Sequence, residues 1–197
     1  MVSAEDTVVE DLEARGFKCR KFSKRELRQG KTPDRRVFRD GQFAFFLEIK
    51  EIAEDRWVGG GRPDPIFNRL TDDIHQAVQQ FDAVNADRQV PNVLALVNND
   101  AACGSLDLIG VITGHLRLEG GGWVPIYMNC SEGRIRDEKH RVDLYLWYDA
   151  KKANQMFFSS FDRRRMDRVS ALFGVNSDSI PQLAPSGGWT RRQPRGL

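Results

Sequence analysis

The chain has few cysteines, and they do not fall at metal-binding spacing. Its 197 residues include three, Cys19, Cys103 and Cys130, at scattered positions. An odd number of widely separated thiols fits neither a disulfide framework nor a zinc site. The three histidines are also isolated from one another at metal-ligand spacing. We therefore expect reduced cysteines in a cytoplasmic protein.

Long apolar runs and the motifs of acyl-transfer enzymes are also missing. No run approaches the roughly 20 apolar residues that a membrane-spanning helix needs. The first six residues are acidic and lack the basic and apolar regions of a signal peptide. The Gly-x-Ser-x-Gly motif of serine hydrolases does not occur in the sequence, so acyl-transfer chemistry has no support. With 40% hydrophobic and 29% charged residues, the composition is typical of a globular protein without a membrane partner.

The net charge of +2 conceals an uneven distribution. Residues 15–39 contain eleven Lys or Arg and two acidic residues, so the net charge of this segment is +9. The other residues together have a net charge of −7. A second basic cluster includes Arg163, Arg164 and Arg165. Concentrated positive charge predicts a polyanion-binding face, with a merely solvated surface as the alternative.

The apolar and turn patterns predict an α/β protein. Residues 43–50 form a hydrophobic segment after an Asp40-Gly41 turn, which is typical of a strand in a hairpin. Residues 93–97 are continuously apolar, as in a strand buried on both faces. Residues 105–113 fit a helix or a strand, and we favour a helix capped by Ser105 and closed by Gly114. The other predicted elements are helices at 4–15, 68–85 and 161–173 and strands at 17–22, 33–39, 123–128 and 142–148.

Charged residues stand at the end of the strand predicted at 43–50. The period of two places Ala44, Phe46, Glu48 and Lys50 on one face, and Phe43 on the other together with Phe45, Leu47 and Ile49. Charges beside a core usually have a partner or a task. Asp34, which follows Pro33 on the preceding strand, could bring a second carboxylate. Two carboxylates and a backbone carbonyl make an oxygen-lined site suited to Mg²⁺.

The order helix, three strands, helix, strand, with Pro33-Asp34 and Glu48-Ile49-Lys50 on the second and third strands, resembles the PD-(D/E)XK nuclease superfamily. The first hundred residues resemble archaeal-type Holliday junction resolvases, in which a helix with an early glutamate ends in Gly-Phe, as 5–17 does here. The resemblance implies a restriction-endonuclease-like fold, a central mixed β-sheet flanked by helices with an αβββαβ core. It implies one domain over 1–180 (core 1–100, C-terminal elaboration 101–180) and an irregular basic tail at 181–197.

The resemblance also implies a function. It implies a Mg²⁺-dependent endodeoxyribonuclease that hydrolyses DNA in repair, recombination or defence, with Mn²⁺ as a substitute ion. Asp34, Glu48, the Ile49 carbonyl and Glu5 would hold the metal, with Glu10 as the second choice for Glu5. Lys50 would act on the attacking water or the phosphate. DNA is the expected partner, and a homodimer is left open.

Further residues are candidates for accessory roles. Gln76 and Gln80 lie one turn apart on the helix at 68–85, where several families of this fold place a glutamine near the active site. Their alternative is a solvated helix face. The residues expected to contact nucleic acid are Arg35, Arg36, Arg39 and Arg62, with ordinary surface roles as the alternative.

Each residue of the expected active site also has a non-catalytic interpretation. Glu48 and Lys50 could form a surface pair, Asp34 could serve only as a turn residue, and Glu5 could serve only the helix dipole. The alternative function is a catalytically inactive nucleic-acid-binding or interaction protein that retains the nuclease fold.

Overall fold

The computed structural model describes residues 3–28, 30–53, 64–118, 120–126, 135, 137–149, 152–158 and 163–176. The helices are α1 (Ala4–Ala14), α2 (Lys24–Leu27), α3 (Asp64–Asn85), α4 (Ser105–Thr113) and α5 (Arg163–Leu172), with a 3₁₀ turn at Lys139–Arg141. The strands are β1 (Phe17–Lys21), β2 (Arg35–Arg39), β3 (Gln42–Ile52), β4 (Asn92–Asn98), β5 (His115–Leu118), β6 (Gly122–Pro125), β7 (Leu144–Asp149) and β8 (Lys152–Phe158). Among the described helices, none is both long enough and apolar enough to cross a membrane.

Six of the described strands form the main sheet in the order β1-β2-β3-β4-β7-β8, and β5 and β6 form a separate hairpin. The pairs β3–β4 and β4–β7 are parallel. The pairs β1–β2, β2–β3 and β7–β8 are antiparallel. The predicted α/β architecture with a mixed sheet flanked by helices is therefore confirmed. β4 lies inside the sheet and is buried along its whole length, which explains its uninterrupted apolar sequence.

The two faces of the sheet carry separate hydrophobic clusters. One contains residues of α3 and α4 packed on Phe46, Leu94 and Trp147. The other contains residues of α1 and α5 packed on Leu47 and Ala95, among others. Because strand side chains alternate between faces, each interior strand contributes to both clusters. The helices therefore form layers on opposite sides of the sheet.

Local signals in the sequence set the ends of α1. The Ser3 hydroxyl accepts a hydrogen bond from the Asp6 backbone N–H at 3.1 Å, and the Asp6 carboxylate completes a capping box. Gly16 follows the helix with φ of 85°, a left-handed conformation that glycine adopts without steric cost. The Asp40-Gly41 turn also forms, and both residues have positive φ, as a tight hairpin turn requires.

Several details differ from the sequence expectations. A bulge interrupts the β2–β3 pairing, since Val37 pairs with Phe45 but Phe38 pairs with Phe43. The extra residue is Ala44, so the simple alternation is wrong at this end of β3. Phe43 packs edge-on against Phe46, with ring centroids 4.9 Å apart, and Ala44 joins the opposite cluster.

The other differences concern the start of one helix, three undetected elements and the end of one strand. α4 has the predicted span, but its N-cap is Gly104 rather than Ser105, and the Asp107 carboxylate accepts the Gly104 N–H at 2.8 Å. α2, β5 and β8 had no clear periodic signal because each is short or polar. The strand expected at 123–128 ends at Pro125 within β6, and residues 127–128 lie outside the described part of the chain.

Candidate active site

Antiparallel pairing of β2 and β3 brings Asp34 level with Glu48. Arg35, the first residue of β2, pairs with Leu47, so Asp34 stands opposite the next residue of β3. The backbone N–H of Asp34 donates to Glu48 Oε2 at 3.1 Å. The Ile49 N–H donates to Asp34 Oδ2 at 2.8 Å. These reciprocal hydrogen bonds fix both carboxylates at the junction of the two strands.

The two carboxylates differ in exposure. Glu48 is only 2% exposed, whereas Asp34 is exposed. Burial first and the negative charge of Asp34 second raise the pKa of Glu48 to about 7, against the opposing effect of Lys50. A buried carboxylate beside a second one is electrostatically costly unless a cation neutralises the pair.

Lys50 lies on the same face of β3 as Glu48 and pairs with it. Its ammonium is 3.0 Å from Glu48 Oε1. Helix α3 crosses this face and presents Gln76 and Gln80, whose side-chain oxygens are each 3.5 Å from Lys50 Nζ. Gln80 Nε2 also donates to the Thr32 carbonyl at 3.1 Å. The structure thus brings both glutamines to Lys50, and Gln80 additionally ties α3 to the segment that leads into Asp34.

Asp73 belongs to this environment, although sequence analysis did not select it. It precedes Gln76 by three residues and Gln80 by seven, so all three share one helix face. Its Oδ2 atom is buried, and no hydrogen-bond donor among the described residues reaches it. Burial raises the pKa of Asp73, and the positive charges of Lys50 and Arg69 oppose that rise. The helical spacing to the two glutamines was the signal that could have identified it.

Glu5 lies apart from this group. α1 packs on the opposite face of the sheet from α3, and Glu5 forms ion pairs with Arg35 and, at 3.4 Å, with Lys21. The structure therefore joins Glu5 to the arginine next to Asp34 rather than to the Asp34–Glu48 pair. Glu10, its second choice, is exposed on α1.

The oxygen ligands suit a hard cation, but they are few. Among the described residues, no three His, Cys, Asp or Glu side chains converge into a metal-binding group. The site offers the carboxylates of Asp34 and Glu48, and the Ile49 carbonyl would be the third oxygen. Two adjacent carboxylates, one of them with a pKa raised by burial, fit a divalent cation because it would relieve their repulsion.

Three of the arginines expected to contact nucleic acid have partners inside the protein. Arg35 pairs with Glu5. Arg36 pairs with Glu26 at 2.5 Å and lies over the Phe22 ring. Arg39 donates to the Leu172 carbonyl and lies over the Phe17 ring. These contacts give all three a structural role. Arg62, the fourth candidate, lies outside the described residues.

Comparisons of the chain with protein-family models, with curated proteins and with solved structures found no match.

Proposed function

We propose that this protein is a Mg²⁺-dependent endodeoxyribonuclease with a restriction-endonuclease-like fold of the PD-(D/E)XK type. The observation that carries the proposal is the convergence of Asp34, Glu48 and Lys50 at the junction of β2 and β3. A carboxylate pair repels phosphate, so a protein that only bound DNA would gain nothing from it. The mixed sheet and the order of its first elements are compatible with this fold.

Asp34, Glu48 and the Ile49 carbonyl would hold the ion. Bound there, Mg²⁺ supplies Lewis-acid stabilisation of the phosphate and lowers the pKa of a coordinated water. Glu48 must be ionised to serve as a ligand, and its pKa of about 7 makes that ionisation sensitive to pH near neutrality. Asp34 is exposed, so it stands at the solvent side of the pair, where a phosphodiester would arrive.

Lys50 has a different task in this proposal. Its ammonium is held by Glu48 and by the glutamine oxygens of α3, which restrict its rotamers. Held in this way, the ammonium donates a hydrogen bond to the attacking water or to a phosphate oxygen, where negative charge grows in the transition state. Gln76 and Gln80 act as positioning residues for Lys50.

The proposal is tested by incubating the protein with supercoiled plasmid and with branched DNA, each with Mg²⁺, Mn²⁺ or EDTA. We expect nicking or cleavage that requires the divalent ion. Asp34→Asn and Glu48→Gln should abolish it because each removes an anionic ligand. Asp40→Asn is the matched control, since Asp40 lies at the far end of β2 in a positive-φ turn that asparagine tolerates.

Circular dichroism and thermal melting of every variant establish that the fold is intact. If Asp34→Asn or Glu48→Gln cleaves DNA as well as wild type does, the assignment of the active site is wrong. Preferential cutting of an RNA duplex of the same sequence would refute the DNA assignment. DNA binding without cleavage under any metal condition would favour the inactive binding protein instead.

A further inference from the structure

The outer edge of the sheet carries a group of exposed basic residues. They are Lys18 and Arg20 on β1, Lys24 and Arg25 on α2, and Arg28 just after it, here called the basic edge. All five are exposed. Within the described part of the chain, none of them forms an ion pair or a hydrogen bond to an acidic side chain. This contrasts with Arg35 and Arg36, which pair with Glu5 and Glu26.

One member of the basic edge is held in place without losing its hydrogen-bond donors. The Arg20 guanidinium lies over the Phe38 ring, 4.7 Å from its centroid. A ring face attracts the cation but accepts no conventional hydrogen bond, so the guanidinium N–H groups stay available. An arginine restrained in this way loses less conformational entropy when it binds a phosphate.

The basic edge lies on the same side of the sheet as Glu48. Arg20 pairs across β1–β2 with Arg36, which lies over Phe22, and Phe22 stacks on Phe46 in the cluster that packs under α3. Arg36 follows Asp34 by two residues, about 7 Å along the strand direction, and Arg20 lies one strand spacing, about 5 Å, farther out. The basic edge therefore begins roughly 9 Å from the backbone of Asp34.

The segment between the basic edge and Asp34 is fastened to α3. Lys31 Nζ donates to Gln79 Oε1 at 2.5 Å, and the Thr32 carbonyl accepts from Gln80. Glu26 ties α2 to Arg36. These contacts make the basic edge and the carboxylate pair parts of one continuous surface.

We propose that the basic edge is the track for the sugar-phosphate backbone of the DNA substrate, guiding it from β1 and α2 into the Asp34–Glu48 site. This inference rests on the proposed nuclease function for its choice of DNA. The five side chains contact phosphates, which attract them regardless of sequence. Arg35, Arg36 and Arg39 shape the sheet beneath and do not bind the substrate.

The test measures binding in EDTA, so that it does not depend on the metal site. A fluorescein-labelled 20-base-pair duplex is titrated with protein by anisotropy across a salt series. Lys24→Ala with Arg28→Ala removes two charges at i,i+4 spacing from the basic edge. Arg164→Ala with Arg168→Ala removes two charges at the same spacing from α5, whose apolar residues pack on the other face, and serves as the matched control.

We expect the slope of log K against log salt to become shallower by about 0.9 for each lost contact, close to 2 for the Lys24/Arg28 pair. The control pair belongs to the second basic cluster of the sequence, but α5 packs on the face of the sheet opposite α3, so the slope should stay unchanged. A second double variant, Lys18→Gln with Arg25→Gln, should flatten the slope by the same amount. It tests the proposal independently if the Lys24/Arg28 variant fails to fold. An unchanged slope for both edge pairs, or an equal change in the control, would overturn the proposal.

The outcome is separable from that of the catalytic proposal. If Asp34→Asn cuts DNA normally while the edge pairs lose binding, the catalytic site is wrong and the basic edge stands. If Asp34→Asn abolishes cleavage and the edge pairs bind DNA normally, the catalytic site stands and the basic edge is wrong.

Discussion

Glu48 should make the stability of the metal-free protein fall as pH rises through neutrality. Its pKa is raised from 4.5 to about 7 in the folded protein. Between these two values the folded state keeps a proton that the unfolded state has released. The stabilising effect of that proton is complete below pH 4.5 and is lost as pH passes about 7. A pKa difference of this size corresponds to about 3 kcal/mol.

The Glu48→Gln variant isolates this contribution. Glutamine has nearly the same shape and cannot ionise, so its pH dependence retains every other titrating group, including Asp73. Urea unfolding in EDTA at a series of pH values from 4.5 to 8 gives the free energy of unfolding for both proteins. Wild type should lose about 3 kcal/mol more than Glu48→Gln over that range. The free energy of unfolding of Asp34→Asn should fall less than that of wild type over this pH range, because the substitution removes a charge that raises the Glu48 pKa.

Magnesium supplies a second arm of the same experiment. At pH 8, above the Glu48 pKa of about 7, a bound cation stabilises the folded state by RT ln(1 + [L]/Kd), about 1.4 kcal/mol at ten times Kd. Wild type should gain this stability and Glu48→Gln should not. Parallel pH profiles for wild type and Glu48→Gln would refute the reasoning, since they would mean that Glu48 titrates alike in both states.

Three further outcomes follow from contacts in the structure. Lys50→Ala should lose cleavage yet still bind Mn²⁺ in a calorimetric titration, and lost metal affinity with an intact fold would instead make the ammonium structural. Asp73→Asn should slow cleavage by about tenfold, the equivalent of ~1.4 kcal/mol, because it removes a negative charge that stabilises the Lys50 ammonium; a rate equal to wild type in single-turnover assays would exclude that role. Asp143→Ala should destabilise the fold by about 3–5 kcal/mol in urea unfolding, since this buried carboxylate pairs with Arg88 and Arg165; a loss below ~1 kcal/mol would contradict it.

Local signals in the sequence were sufficient for much of the fold. The Ser3 cap, the Asp40-Gly41 turn and the unbroken apolar run of β4 act over a few residues, so their effects can be predicted without knowing the rest of the chain. The same holds for the placement of Glu48 and Lys50 on one face, which follows from the period of a strand. The bulge at Ala44 was not predictable in this way, because it depends on how β2 meets β3.

The composition of the site was decided at longer range. The sequence by itself determined that Glu48 and Lys50 are neighbours at the end of an apolar strand. Only the β2–β3 register placed the Asp34 backbone against Glu48, and only the packing of α3 brought Gln80 and Asp73 to Lys50. Tertiary structure likewise separated the arginines that are held by Glu5 or Glu26 from the exposed cations of the basic edge. Charge is visible in a sequence, but whether a charge is already neutralised depends on partners that approach from distant segments of the chain.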